Sequence, residues 1–414
     1  MTIRHTLLPA VALLTGLTAS LIAADNNLLP ALWDEQSRHP SVESIPPVKG
    51  VKFSLVHEQT ADFLFLHEPR LVFHSNDLFV SFSSAPRVEC ETAQMVRFRR
   101  SADSGMTWSP VGVLAPGLDG GLRAEVAPML SHQGKLWAFV GRCRQNIGKS
   151  GLGMEVWQWL PEKQTFTPLA TGLTLANFIP FVQPQRMTNG NWIIGGHTDL
   201  SRHAAVAISE GDDLRRWRLI KIETPDAEYK PMTCPETCLL IQDGRVLAVT
   251  RGRVGLALAS LSTDAGGTFP AAIESNLPMS RSKPFGGTLS TGQHYLIYNA
   301  RLTALGLRRN ALLIAVTRAG ELTPLRKVWK IIEGNPPELL PELKRLGEAV
   351  ERNEKNDPEA TKGLPGTEPA SQATMHEWAY PEAVEKDGVL FVTFSQDKRH
   401  CWLARIPVAS LTID

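Results

Sequence analysis

Three groupings in the sequence bring together residue types that do chemistry. Cys234-Pro-Glu-Thr-Cys238 is a close cysteine pair, but a zinc site would need two more soft ligands at short spacing, and none is visible. His197, in Gly-Gly-His-Thr-Asp199, and His203 lack a third ligand, so no metal and no cofactor are expected. The third grouping occurs twice. Ser101-Ala-Asp103-Ser-Gly105-Met-Thr107-Trp108 and Ser262-Thr-Asp264-Ala-Gly266-Gly-Thr268-Phe269 share the form Ser-x-Asp-x-Gly-x-Thr-aromatic. Its chemistry is structural: the carboxylate accepts backbone N–H bonds across the loop, glycine supplies a positive φ, and the ring plugs the turn onto a sheet.

Such turns need strands on either side, and the spacing supplies them. Degenerate copies lie at Trp159 to Phe166, Ser209 to Trp217 and Thr317 to Leu322, so turns fall near positions 104, 162, 212, 265 and 319. A period of about 50 to 60 residues suits a four-stranded propeller blade. Apolar runs broken by tight turns form a second series: Leu71 to Phe82, Leu130 to Val140, Met187 to Gly195, Leu239 to Val249, Leu289 to Tyr298 and Ala383 to Phe394. Six hairpins predict an all-β fold, a six-bladed β-propeller of four-stranded antiparallel blades. Residues 334–377 break the pattern with Pro, Glu and Lys; they read as an insertion between the fifth and sixth blades, a solvated excursion with a short helix from Pro341 to Asn353.

Composition narrows the class. The 414 residues carry 43 Lys and Arg against 42 Asp and Glu, a net charge of +1, which disfavours bulk electrostatic capture of nucleic acid. The 32 glycines and 29 prolines punctuate a chain of short strands. Arg4 and His5 precede an apolar run from Leu7 to Ala24 that reads as an export signal, short for a membrane span. The expected organisation is a signal peptide over 1–24, an N-terminal segment over 25–50 and a propeller over 51–414. The mature chain is expected to be secreted or periplasmic, monomeric and without a membrane span. Five scattered cysteines do not make a disulfide framework.

The two turns resemble the Asp-boxes of the sialidase (neuraminidase) superfamily, carried here by Ser101, Asp103, Gly105 and Trp108 and by Ser262, Asp264, Gly266 and Phe269. Further elements follow in that family's order over residues 60–410. Pro69-Arg70-Leu71-Val72 takes the place of its early arginine element, without the family's Ile-Pro. Arg87-Val-Glu89-Cys-Glu91 stands before the first Asp-box, where the family has an aspartate. Pro235-Glu236, a strand, Asp243-Gly244, a strand and Arg251 resemble its glutamate-to-arginine segment. Arg308-Arg309 falls where the third arginine is expected, and Ala379-Tyr380-Pro381-Glu382 where the tyrosine stands, with Pro in place of Ser.

The resemblance implies that Arg70, Arg251 and Arg309, or Arg308, bind a substrate carboxylate by charge-assisted bonds. Tyr380 would be the nucleophile with Glu236 as its base, since a carboxylate nucleophile would be repelled by the acidic sugar. Glu91 or Glu89 would be the acid/base, and Arg123 and Glu125 at the start of the second blade are expected on the same face. The implied activity is retaining hydrolysis of a terminal acidic sugar of a glycan. Two alternatives are a non-catalytic propeller that binds glycan or protein, and a propeller hydrolase or lyase acting on uronic-acid polysaccharide.

Overall fold

The computed structural model describes residues 31–118, 121–144, 153–198, 203–223, 234–252, 255–300, 309–355 and 376–413. The expected signal peptide and Arg308 lie outside them. Six antiparallel sheets follow one another along the chain, and the first and second strands of neighbouring blades contact each other. The six expected hairpins are the first two strands of the six blades. In four of them both turn residues have positive φ, as at Asp243 (49°) and Gly244 (77°), the conformation that matches the right-handed twist of the flanking strands.

The sixth blade closes the ring with both ends of the chain. Its inner three strands are Trp378–Lys386, Val389–Gln396 and His400–Pro407, and its fourth is Lys52–Glu58, paired to the third from Lys52↔Arg405 to Glu58↔His400. This explains why the sequence shows six hairpins but five Asp-box-like turns. The turn joins the third and fourth strands of a blade, and in the sixth blade that connection does not exist.

Both Asp-boxes have the expected bonding. Asp103 Oδ1 accepts from Ser101 Oγ (2.7 Å) and Thr107 N (2.8 Å), and Asp103 Oδ2 from Thr107 Oγ1 (2.6 Å). In the second box Asp264 accepts from Ser262 Oγ (2.6 Å), Thr268 N (2.9 Å) and Thr268 Oγ1 (2.8 Å). Each box also leans on the preceding blade. A Cβ on Gly105 would lie 2.3 Å from Leu403 of blade 6, and one on Gly266 would lie 2.9 Å from Ile193 of blade 3. The degenerate turn at Asp212 works differently: its carboxylate takes Trp192 Nε1 (3.0 Å) and pairs with Arg186 and His132.

Ser262 is buried and also accepts from Gly266 N (2.9 Å), so Ser262→Ala is expected to lose about 1–3 kcal/mol. A lower urea midpoint at unchanged slope would register it. The hydrogen bonds from Ser262 and Thr268 hold the Asp264 carboxyl down to about 2. A depressed carboxyl contributes stability that is present above its unfolded pKa and is lost as pH falls towards 2. Acid titration of the midpoint should therefore be shallower in Ser262→Ala than in the parent.

Between the fifth and sixth blades runs the helix Leu340–Lys355. It is less solvated than the sequence suggests. Leu343, Leu346 and Val350 are buried on one face, and Arg345 pairs with Glu58 (2.9 Å) on the closing strand.

Candidate active site

Three of the first strands carry an irregularity away from the hairpin turns and Asp-boxes. In blade 1 (Phe65–His74) the register skips between His67 and Arg70, in blade 2 (Leu122–Val126) between Ala124 and Val126, and in blade 6 (Trp378–Lys386) between Ala379 and Glu382. A bulge re-aims the residue it frees from the ladder. The residues freed are Glu68, Glu125 and Tyr380.

Blades 1 and 6 use the same local device. Glu68-Pro69-Arg70 and Tyr380-Pro381-Glu382 each begin with a residue in the left-handed region, φ 54° at Glu68 and 60° at Tyr380. Such a backbone costs about 1–3 kcal/mol for a non-glycine residue and persists where its surroundings fix it. Proline then follows at a position that, inside a bulge, has no ladder bond to give. The third residues meet: Arg70 and Glu382 are fully buried with Nε and Oε2 at 3.5 Å, and the equally buried Lys283 Nζ lies 3.3 Å from the same oxygen and donates to the Pro381 carbonyl.

The first residue of the blade 6 triplet meets blade 4. Tyr380 Oη donates to Glu236 Oε1 at 2.7 Å, and Arg251 Nη1 donates to both oxygens of Glu236 (2.8 and 2.9 Å) and to Tyr380 Oη (3.1 Å). Arg309 places its guanidinium carbon 5.1 Å from the centre of the Tyr380 ring while donating to the Arg281 carbonyl (3.0 Å). On blade 1, the ring of His67 lies 4.1 Å from that of Tyr380, with Nδ1 2.7 Å from Ser395 Oγ.

Electrostatics sort these groups into charged and neutral. Burial and the Glu236 anion push the Tyr380 phenol well above its ordinary range, against the pull of Arg251 and Arg309, so it rests protonated. Burial, together with the cations Lys398, Arg309, Arg70 and Arg251, keeps His67 neutral. Burial opposes the charge on Arg251, but Glu236 and Tyr380 more than restore it. Glu89 is also disfavoured as an anion by burial, yet Lys398, its ion-pair partner, lowers it overall.

The family model for BNR repeat-like domains matches residues 123–392. The chain belongs to this family. Solved structures agree on the fold. A protein of unknown function from Dyadobacter fermentans DSM 18053 superposes with a TM-score of 0.58 at 14% identity, over 87% of this chain and 100% of that one. Trypanosoma rangeli sialidase gives 0.57 at 11% identity, over 87% of this chain and 60% of that one, and the same enzyme in complex with sialic acid gives 0.57 at 13%, over 88% and 60%. The BNR-repeat chain thus spans about three-fifths of the length of the trypanosomal enzyme. No curated protein sequence matches it.

In this BNR-repeat propeller the residues singled out from sequence divide into four groups. Tyr380, Glu236, Arg251 and Arg309 come together. Arg70 is fully buried, paired with Glu382 and bonded to the Pro69 carbonyl (2.9 Å), with Nη2 buried and without a hydrogen-bond partner. Glu89 and Glu91 are otherwise engaged: Glu89 pairs with Lys398, and Glu91 accepts from the backbone N–H groups of Arg87 (3.3 Å) and Val88 (3.2 Å), capping its own loop. Arg123 bonds Glu125 (2.7 Å) at the bulge of blade 2.

Sequence reading missed His67, Glu68, Lys283, Glu382 and Lys398. The signal for two of them was available in the repeated form x-Pro-x at Glu68 to Arg70 and Tyr380 to Glu382, on equivalent strands. His197 bonds the Thr198 carbonyl (2.9 Å) and stacks on Phe181, and among the described residues no cluster of three or more His, Cys, Asp or Glu could hold a metal. The five cysteines are free thiols. No helix among the described residues is long and apolar enough to cross a membrane.

Proposed function

We propose that this chain is an exported retaining glycoside hydrolase of sialidase type, acting on a terminal sugar that bears a carboxylate. What carries the reading is the contact of Tyr380 Oη with Glu236 Oε1 at 2.7 Å, braced by Arg251. A protonated phenol is a poor nucleophile; a carboxylate at hydrogen-bond distance takes its proton as attack begins. Arg251, bonded to both oxygens of Glu236 and to Tyr380 Oη, stabilises the phenolate character that develops on Tyr380. A neutral nucleophile approaches an anomeric carbon flanked by a carboxylate without like-charge repulsion.

Substrate charge is matched by Arg309. Among the described residues, Glu236 engages Arg251, and Glu382 engages Arg70 and Lys283, whereas Arg309 has a carbonyl and a ring face as partners and no carboxylate. Its guanidinium would take a substrate carboxylate in a charge-assisted pair, alongside Arg251 and the unpartnered Nη2 of Arg70. Arg309→Met should raise KM about 10- to 100-fold for a carboxylate-bearing substrate, with a smaller change for its methyl ester, as steady-state kinetics on the two would read.

The test of the activity is turnover of aryl glycosides of sialic acid, related keto-sugars and uronic acids. Uronic acids belong in the panel because they also carry a carboxylate that an arginine can pair with. Complete inactivity of the wild type across the panel would overturn the reading.

A further inference from the structure

We propose that Glu68 is the general acid/base of this site, the group that protonates the departing oxygen and later deprotonates the attacking water. The inference rests on the glycosidase reading above and assigns the one role that Tyr380, Glu236, Arg251 and Arg309 leave open.

Glu68 sits in blade 1 at the bulge equivalent to the one that presents Tyr380 in blade 6, with the same left-handed backbone and the same following proline. It is 5% exposed, and its Oε2 is buried with no hydrogen-bond donor. The other carboxylates around it are occupied. Glu236 is held by Arg251 and Tyr380, Glu125 by Arg123, Glu89 by Lys398, Glu91 by its own loop, and Glu382 by Lys283 and Arg70. A buried, unpartnered carboxyl oxygen on a strained backbone is costly as an anion and has a use as an acid.

The surroundings favour the acid form. Burial raises the Glu68 carboxyl well above the ordinary carboxylate range; Arg70 opposes this, while Glu125, Glu89 and Glu236 add to it. Glu68 in turn adds to the rise of the Tyr380 phenol on blade 6. The two carboxyls differ in their partners, Glu236 bonded through both oxygens to Arg251 and Glu68 with a buried oxygen that has no donor, the division a base and an acid require.

The steps balance. In the first, the bond from Tyr380 Oη to the anomeric carbon forms and the bond to the aglycone breaks. The phenolic proton passes to Glu236 and the Glu68 proton to the departing oxygen. In the second, water loses a proton to Glu68 and attacks the anomeric carbon, and Tyr380 leaves with the proton held by Glu236.

The test compares two glycosides of one turned-over sugar, with a nitrophenyl aglycone and with a simple alkyl aglycone. Glu68→Gln is expected to slow the alkyl glycoside about 10²- to 10⁴-fold and the nitrophenyl glycoside far less, and to remove the alkaline limb of the pH profile. Azide should rescue nitrophenyl turnover in Glu68→Ala, giving the glycosyl azide. An infrared carboxylic-acid band at pH 7, present in wild type and absent in Glu68→Gln, reads the protonated state without turnover, and circular dichroism confirms the variant's fold. Equal slowing of both glycosides, the leaving-group dependence appearing in Glu89→Gln or Glu91→Gln instead, or no such infrared band would overturn the assignment while leaving the glycosidase reading in place. A wild type inactive on every glycoside, nitrophenyl included, would overturn both.

Discussion

Replacing Tyr380 by Phe is expected to lower kcat about 10⁴-fold on any substrate the wild type turns over, since losing a covalent nucleophile removes a whole pathway and not a single contact. The change deletes one oxygen from a packed ring. The stacking of Arg309 on the ring and of the ring on His67 survives, and Glu236 keeps both bonds from Arg251, so no buried carboxylate oxygen loses its last donor. Substrate binding and melting temperature should therefore stay close to wild type. Isothermal calorimetry with the product sugar, set beside kcat, separates the two. Activity undiminished in Tyr380→Phe would remove tyrosine as the nucleophile.

Glu382→Ala should instead be a stability variant, losing about 3–5 kcal/mol. Glu382 is fully buried between Lys283 and Arg70, and its loss strands two buried cations. Its other oxygen accepts from Gln183 N (3.0 Å), so the carboxylate also ties blade 6 to blade 3. Burial acts on both partners of the cluster in the direction of neutrality, raising Glu382 and lowering Lys283 to about 8, which marks how closely solvation and pairing are balanced. Urea unfolding measures the change. A loss below about 1 kcal/mol would mean that water or a rearranged side chain replaces the carboxylate, and that the cluster does not hold the x-Pro-x triplets in place.

These two residues stand two apart in the chain and differ in kind, and only one of them could be singled out from sequence. Tyr380 stands in a segment with a family resemblance. Glu382 reads as an ordinary strand residue until its partners arrive from blades 1 and 5. Arg70 shows a further case: its position in the sequence suggests a substrate contact, and only the fold shows the buried Glu382 that pairs with it. Glu89 and Glu91 fall in the stretch where an acid is expected, but a lysine from the turn after the second strand of blade 6 and two nearby backbone amides engage them.

What the sequence by itself determined is short-range: the hairpin turns, the Asp-box bonds, the alternation that makes strands and the helix of Leu340–Lys355. Each depends on residues a few positions apart, so the local pattern contains the whole of its cause. From the count of hairpins followed the number of blades. What the tertiary structure decided is convergence. Closing the ring with Lys52–Glu58 joins residues from near both ends of the chain in one blade, His67 of the first blade meets Tyr380 of the last, and the contact of Tyr380 with Glu236 spans 144 residues. Such meetings depend on how six sheets are arranged around an axis, and no spacing along the chain records which carboxyl will find a cation there and which will be left to hold a proton.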